Sequence, residues 1–330
     1  MRKLFHFLCS IILITFSPLS GAWDSIGHRA STSIALYFSS EEKRAYLLEI
    51  LTQHPRFEID FLDAMPALIQ RSNEAARREW LLGQAAYWPD IARGLPETER
   101  ALYNRPAWHY TDGAWVRGDA AFQGNVYIDS PRFPDRPGEL GSSIQNQADV
   151  HNVVTALDYN ARVLKDTGSL PAERAVALCW FLHLTADIHQ PLHAGSLFSR
   201  TLFATGDRGG NGIPTDNNTL HLRWDRALAD FGVSGSTSRT IERLTRFSQP
   251  RIFGVESDWT TWLNESREVL LSVVYSDEMK TAIIAADRSR QPLAQLPLDE
   301  TYINQMQRIA LQRIGLAGLR MAIWFENELD

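Results

Sequence analysis

The chain has 330 residues, with 33 Lys and Arg against 39 Asp and Glu, a formal charge of −6 and a hydrophobic fraction of 44%. These values exclude a disordered chain and describe a globular protein long enough for one large domain or two ordinary ones. An acidic balance also argues against holding a polyanion through a generally basic surface, so such a substrate would need a local source of positive charge.

Met1-Arg2-Lys3 is a short basic start, Leu4 to Leu19 is mostly apolar, and Ser20-Gly21-Ala22 supplies the small residues a signal peptidase accepts. The pattern predicts a secretory signal over residues 1–22 and a mature domain over 23–330. The apolar stretch is too short and too interrupted by polar residues for a membrane span, so the expectation is a secreted or periplasmic protein with no stable membrane insertion. Cleavage would remove Arg2, Lys3 and Cys9, leaving a charge of −8 and Cys179 as the only cysteine, hence no internal disulfide. It would also give Trp23 a free α-amine, whose lone pair can bind a metal. A monomer is the favoured oligomeric state.

Helical periodicity dominates the rest of the chain. Ser39-Ser40-Glu41-Glu42 sets a capping serine three residues ahead of a glutamate, before a helix predicted over Lys43 to Gln53. A second helix is expected from about Gln145 to Asp166, with Gly168 as its stop. Pro171 suits the first turn of a third, reaching about Ile188 and ended by Pro191. Near the C-terminus Ile303, Met306, Ala310, Ile314, Ala317, Met321 and Trp324 recur at three- and four-residue steps, an apolar stripe for the core. Gly315 and Gly318 lie in that helix, where close packing is the expected reason for them. Residues 113–143 and 195–219 lack the pattern and read as surface loops, the second placed to shape a cleft. With no linker in view, the fold class is mainly α: a single-domain helical bundle whose long loops form the cleft.

HLTADIHQPLH, residues 183–193, puts His183 and Asp187 four apart on one helix face, and Pro191 lets His193 turn back toward them. TLHLRWD repeats the spacing with His221 and Asp225. AAYWPD adds Asp90, PAWHYTD adds His109, and WDSIGH adds Trp23 and His28. One His-x-x-x-Asp pair is more often a solvated helix face than a metal site. In combination, nine nitrogen and oxygen ligand types exceed the needs of one zinc, and three Zn²⁺ ions are the natural count if one carboxylate bridges. His54, His151 and His189 fit no such pattern and are expected on the surface or in supporting positions.

These segments resemble the trinuclear-zinc, single-strand-specific nucleases, the secreted 3′-nucleotidase/nuclease family related to the zinc-dependent bacterial phospholipases C. The resemblance rests on W-x-x-x-G-H at Trp23 to His28, W-x-D at Trp88 to Asp90, H-x-x-D at His109 to Asp112, the His183–His193 segment, and L-H-x-x-W-D at Leu220 to Asp225, in the family's order. His189 stands where relatives usually differ. The resemblance implies that Asp90, His109, His183 and Asp187 hold one zinc, that Trp23, His28 and the bridging Asp187 hold a second, and that His193, His221 and Asp225 hold the third. Three such ions would bring +6 against −8 into one cleft, which answers the objection from the acidic surface.

The resemblance further implies hydrolysis of single-stranded DNA and RNA, and of nucleotides, to 5′-phosphate products. Asp90 and Arg93 are then the catalytic candidates, with Arg93 on the scissile phosphate and Tyr110 and Asp112 stacking and holding a base. A phospholipase C on the same scaffold is the nearest rival, but that branch spaces the first Trp and His farther apart and tends to end its ligand set in Glu, where this chain has Asp225. A secreted zinc-binding protein without catalysis ranks lower, because structural zinc sites favour cysteine.

Overall fold

The computed structural model describes residues 23–111, 125–128, 147, 152–216, 218–246 and 258–329. Twelve α-helices run through the described residues: α1 Ser25–Phe38, α2 Glu41–Thr52, α3 Ala67–Gln70, α4 Glu74–Ile91, α5 Glu97–Tyr103, α6 Val153–Lys165, α7 Pro171–Asp187, α8 Leu220–Asp225, α9 Gly232–Arg246, α10 Trp259–Val269, α11 Asp277–Ser289 and α12 Glu300–Glu328. Among the described residues the strands are two short ones, β1 Val126–Ile128 and β2 Leu197–Ser199, paired in parallel with Val126 opposite Leu197. The mainly α expectation holds.

Helix boundaries follow capping chemistry. Asp24 accepts the Ile26 and Gly27 amides and starts α1. Ser40, not Ser39, caps α2 by accepting the Lys43 amide, so α2 begins two residues earlier than expected; the Ser39 hydroxyl instead donates back to Ala35 O at the end of α1. Asn152 and Thr155 form a reciprocal capping pair that starts α6 at Val153. Gly168 is not the stop: Asp166 turns extended and ends α6, and its carboxylate accepts the Gly168 amide. Pro171 occupies the first turn of α7, as its fixed φ favours.

α7 is buried from Ala177 through Asp187, the mark of a central helix rather than an amphipathic surface one. It packs against α6, α4 and α2, while α1 packs against α4, α9 and α12. On one side the core gathers Leu51, Leu82, Trp88, Leu157, Trp180 and Phe325; on the other, Trp23, Ile34, Leu220, Trp224, Val274 and Ile314. The C-terminal end of α7 projects its polar residues where these regions meet.

The expected α12 stripe is buried from Met306 to Trp324, with Ile303 half-buried. Both glycines serve close packing. A Cβ on Gly318 would stand 2.6 Å from Ser31 O and 2.7 Å from Ile34 on α1, and one on Gly315 would stand 2.7 Å from the Thr240 methyl on α9.

The segment 195–219 corrects an expectation, because much of it is interior rather than surface. Ser196, Leu197, Ser199, Asp207, Ile213 and Thr215 are buried. The Asp207 carboxylate is the reason: it accepts the amides of Leu197 and Gly210 and the Tyr275 hydroxyl, winding the chain around itself. Gly206, Gly209 and Gly210 take positive φ there, and a Cβ on Gly209 would stand 2.3 Å from Leu192 O. Of the segment 113–143, all but residues 125–128 lies outside the described residues.

Candidate metal centre

Asp187, fully buried at the end of α7, is the hub. Its Oδ2 lies 3.0 Å from His109 Nδ1 and 3.1 Å from His183 Nε2, and its Oδ1 lies 3.5 Å from His28 Nε2 and 3.7 Å from His193 Nδ1. His183 and His28 stack with ring centroids 3.9 Å apart. Beside them His193 Nε2 and His221 Nε2 approach to 3.3 Å, and His221 Nε2 lies 3.3 Å from Asp225 Oδ2. The side-chain donor atoms fall into three groups compact enough for an ion: His28, Asp90 and His183; His109, His183 and Asp187; and His193, His221 and Asp225. All eight side chains expected to serve as metal ligands are thus brought together, and the third group matches its expected membership.

Local packing explains each placement. In W-x-x-x-G-H, Trp23 is buried and its indole donates to Ala186 O at 3.1 Å, next to Asp187. Gly27 is required because a Cβ there would stand 2.7 Å from Trp23 Cβ. The Asp24 amide donates to Asp225 O at 3.1 Å, tying the same segment to the third group. In W-x-D, the Trp88 indole donates to Asp60 and fixes the end of α4 that carries Asp90. In L-H-x-x-W-D, the Trp224 indole donates to the Tyr302 hydroxyl on α12.

Three imidazoles are oriented by backbone carbonyls. Nδ1–H donates to Ala86 O from His183, to His109 O from His193, and to Gly209 O from His221, at 2.8, 2.7 and 2.6 Å. That tautomer leaves Nε2 as a lone pair facing the centre, the arrangement by which proteins orient metal-binding histidines.

The electrostatics fit cations. Burial holds His28 well below the usual histidine range, and burial drives His109 down to about 3, so both are neutral imidazoles. Burial pushes Asp90 up; it pushes Asp225 up further, with Asp187 and Asp90 adding repulsion. Burial also opposes ionisation of Asp187, yet His183 and His193 outweigh it and hold Asp187 well below the carboxylate range. His28 Nδ1 and Nε2, His109 Nε2, Asp187 Oδ1 and Asp225 Oδ2 are buried and make no hydrogen bond among the described residues. Each buried unpaired polar atom costs about 1–3 kcal/mol, and a buried carboxylate such as Asp225 costs several unless a cation sits beside it. An all-nitrogen-and-oxygen donor set with orphaned lone pairs therefore suits zinc.

The sequence model of the family described as S1/P1 nuclease matches residues 23–330. The chain belongs to the S1/P1 nuclease family. Members of that family are zinc-dependent in general, and this S1/P1 family chain carries clustered His and Asp groups able to bind metal. It is 25% identical over 166 residues to Nuclease S1 of Aspergillus oryzae (strain ATCC 42149 / RIB 40), covering 47% of this chain and 55% of that protein. It is 25% identical over 153 residues to Endonuclease 5 of Arabidopsis thaliana, covering 44% and 48%. The matched part of this family member spans about half the length of each of these relatives. No helix among the described residues is long and apolar enough to cross a membrane.

The remaining expected site residues are placed unevenly. Arg93 is mostly buried and pairs with Asp90 at 2.8 Å. Tyr110 is 48% exposed beside His109, with its carbonyl accepting the Val153 amide. Asp112 lies outside the described residues, as does His151. His54 and His189 are both buried, so neither is a surface histidine. His54 packs against Trp88 and Phe61.

Supporting residues escaped the sequence reading. Gln190 donates to Asp225 Oδ1 at 2.7 Å and accepts the Leu192 amide, linking the turn after α7 to the third group. From α12, Arg313 donates to His189 O and Arg320 to His189 Nε2, while both pair with Glu265 on α10. Ser266 donates to Ile188 O and Arg267 to Ala194 O. These residues clamp both ends of the turn between Asp187 and His193. The spacing of Arg313 and Arg320, seven apart in an otherwise core-facing helix, was the available signal.

Proposed function

We propose that this protein is a zinc-dependent endonuclease that hydrolyses phosphodiester bonds of single-stranded DNA and RNA to 5′-phosphate products, with 3′-nucleotidase activity. The observation that carries the reading is the convergence on Asp187 of buried, unpaired nitrogen and oxygen donors, within a chain matched to the family from Trp23 to its end. Asp90, His109, His183 and Asp187 would hold one zinc. Trp23, His28 and Asp187 would hold a second, and His193, His221 and Asp225 a third. Bound zinc would supply a Lewis acid at the phosphate and a water whose pKa is brought toward neutrality.

The protein's own residues do the rest. Arg93, held by Asp90, presents a guanidinium that fits two phosphate oxygens at once and so fixes the scissile group. The Asp90 carboxylate, which also holds Arg93, would help orient the attacking water beside that phosphate. Half-exposed Tyr110, with Asp112, would stack and hold an unpaired base, which a duplex cannot offer.

The same reading makes residues 1–22 a leader and 23–330 the nuclease domain of a secreted or periplasmic monomer. The start of the family match at Trp23 supports that boundary. Asp187→Asn tests the assignment: zinc bound per chain should fall by more than one ion and hydrolysis of single strands should nearly vanish. Full zinc content and activity in that variant would refute it.

A further inference from the structure

Outside the cluster, a cavity of about 580 Å³ opens between α1, α4 and α9, within the size range of small-molecule sites. Its walls include Arg29, Ser33, Glu79, Trp80, Ser234 and Thr237. Arg29 lies over the Trp80 ring at 5.3 Å and the Tyr87 ring at 5.9 Å, and its Nη2 donates to Gln84 Oε1. Thr237 Oγ1 is buried and makes no hydrogen bond among the described residues. One cation and one acid in the walls make a poor track for a run of phosphates. A flat aromatic braced by a guanidinium, with hydroxyls around it, suits a nucleobase, which needs a stacking face and partners for its edge.

The cavity is connected to the cluster by α4. Trp80, Gly83, Tyr87 and Asp90 follow at steps of three, four and three, one face of the helix, and the ten residues from Trp80 to Asp90 rise about 15 Å. Arg29 itself follows His28 on α1. A strand cut beside Asp90 would therefore find this groove a few nucleotides away along the same face.

We propose that the Arg29–Trp80 groove is a subsite for an unpaired base of the substrate strand, several nucleotides from the scissile phosphate. This rests on the nuclease reading above. The groove would give longer strands extra binding energy that a dinucleotide cannot collect, and kcat/KM would rise with length up to the span of the groove.

Two variants test it: Trp80→Ala, which removes the stacking face, and Ser234→Trp, which fills the groove from an exposed position and keeps the test open if loss of Trp80 unfolds the protein. Binding is measured by anisotropy with a labelled phosphorothioate-linked single strand that resists cleavage. Hydrolysis is read as the ratio of kcat/KM on a long single strand to that on a dinucleotide, so loss of active enzyme cancels. Stacking one base predicts about a tenfold fall in strand affinity and in that ratio for both variants, with Trp80→Phe retaining most of each. Wild-type affinity and ratio in Ser234→Trp and in folded Trp80→Ala would overturn the subsite. A wild-type protein that cuts neither substrate would overturn the nuclease reading instead, and the binding measurement would still decide the groove.

Discussion

His109 and His193 hold each other through the backbone. His193 Nδ1–H donates to His109 O at 2.7 Å, and one residue past Tyr110 the Thr111 amide donates back to His193 O at 2.8 Å. The link joins a member of the Asp187 group to a member of the His193–His221–Asp225 group. Displacing either short 3-10 turn, Pro106–His109 or Pro191–His193, should therefore disturb both groups together.

Gln190 is the side chain that aims Asp225, and its amide also pins the turn at Leu192. Gln190→Ala should weaken zinc binding at the His193–His221–Asp225 group by about 10- to 100-fold, as loss of an orienting partner typically does. Competition with a chromogenic zinc chelator checks this, and an unchanged titration would remove Gln190 from the account.

Arg320 is buried against Glu265 and His189. Arg320→Ala should destabilise the protein by about 2–4 kcal/mol, because it strips one partner from a mostly buried pair and leaves His189 Nε2 unsatisfied. Urea denaturation of the metal-free protein measures it without interference from metal release.

Gly318→Ala drives a methyl into the backbone of α1, while Gly315→Ala meets only side chains, the Thr240 methyl at 2.7 Å and Leu244 Cδ1 at 3.8 Å. The first should cost about 1–3 kcal/mol and the second less. Reversal of that order in thermal melts would contradict the α1–α12 packing.

Asp287 gives a pH dependence. Burial opposes its ionisation, but the Leu202 and Thr201 amides and the Thr201 and Ser199 hydroxyls outweigh burial and hold it at about 2. A depressed folded value means its contribution is present above the unfolded carboxylate pKa of about 3.9 and is lost as pH falls through about 2. The stability deficit of Asp287→Asn should thus be full above about pH 5 and shrink on acidification through that window. A deficit that stays constant down to low pH would show that the hydrogen bonds matter but the charge does not.

Much of the site was legible because its spacings carry local physics. His183 and Asp187 share a helix face, Pro171 starts that helix, and Gly27 is small because Trp23 lies against it. What the sequence hid depends on contacts between distant residues. Asp207 turned an apparent surface loop inward by gathering amides and the Tyr275 hydroxyl, 68 residues away. His189 fitted no spacing pattern in the sequence, and its partner Arg320 lies 131 residues along the chain. Periodicity sees the stripe on α12 but not which arginine on its flank is buried.

Zinc held by the donors around Asp187, and hydrolysis of single strands that depends on it, is the point on which the functional reading stands or falls. One measurement decides it: release of 5′-mononucleotides from single-stranded DNA and RNA by protein beginning at Trp23, before and after removal of metal by a chelator and again after zinc is restored. Release should be lost on chelation and return with zinc. Release that persists in verified metal-free protein, or none from protein verified to carry zinc, would contradict that reading.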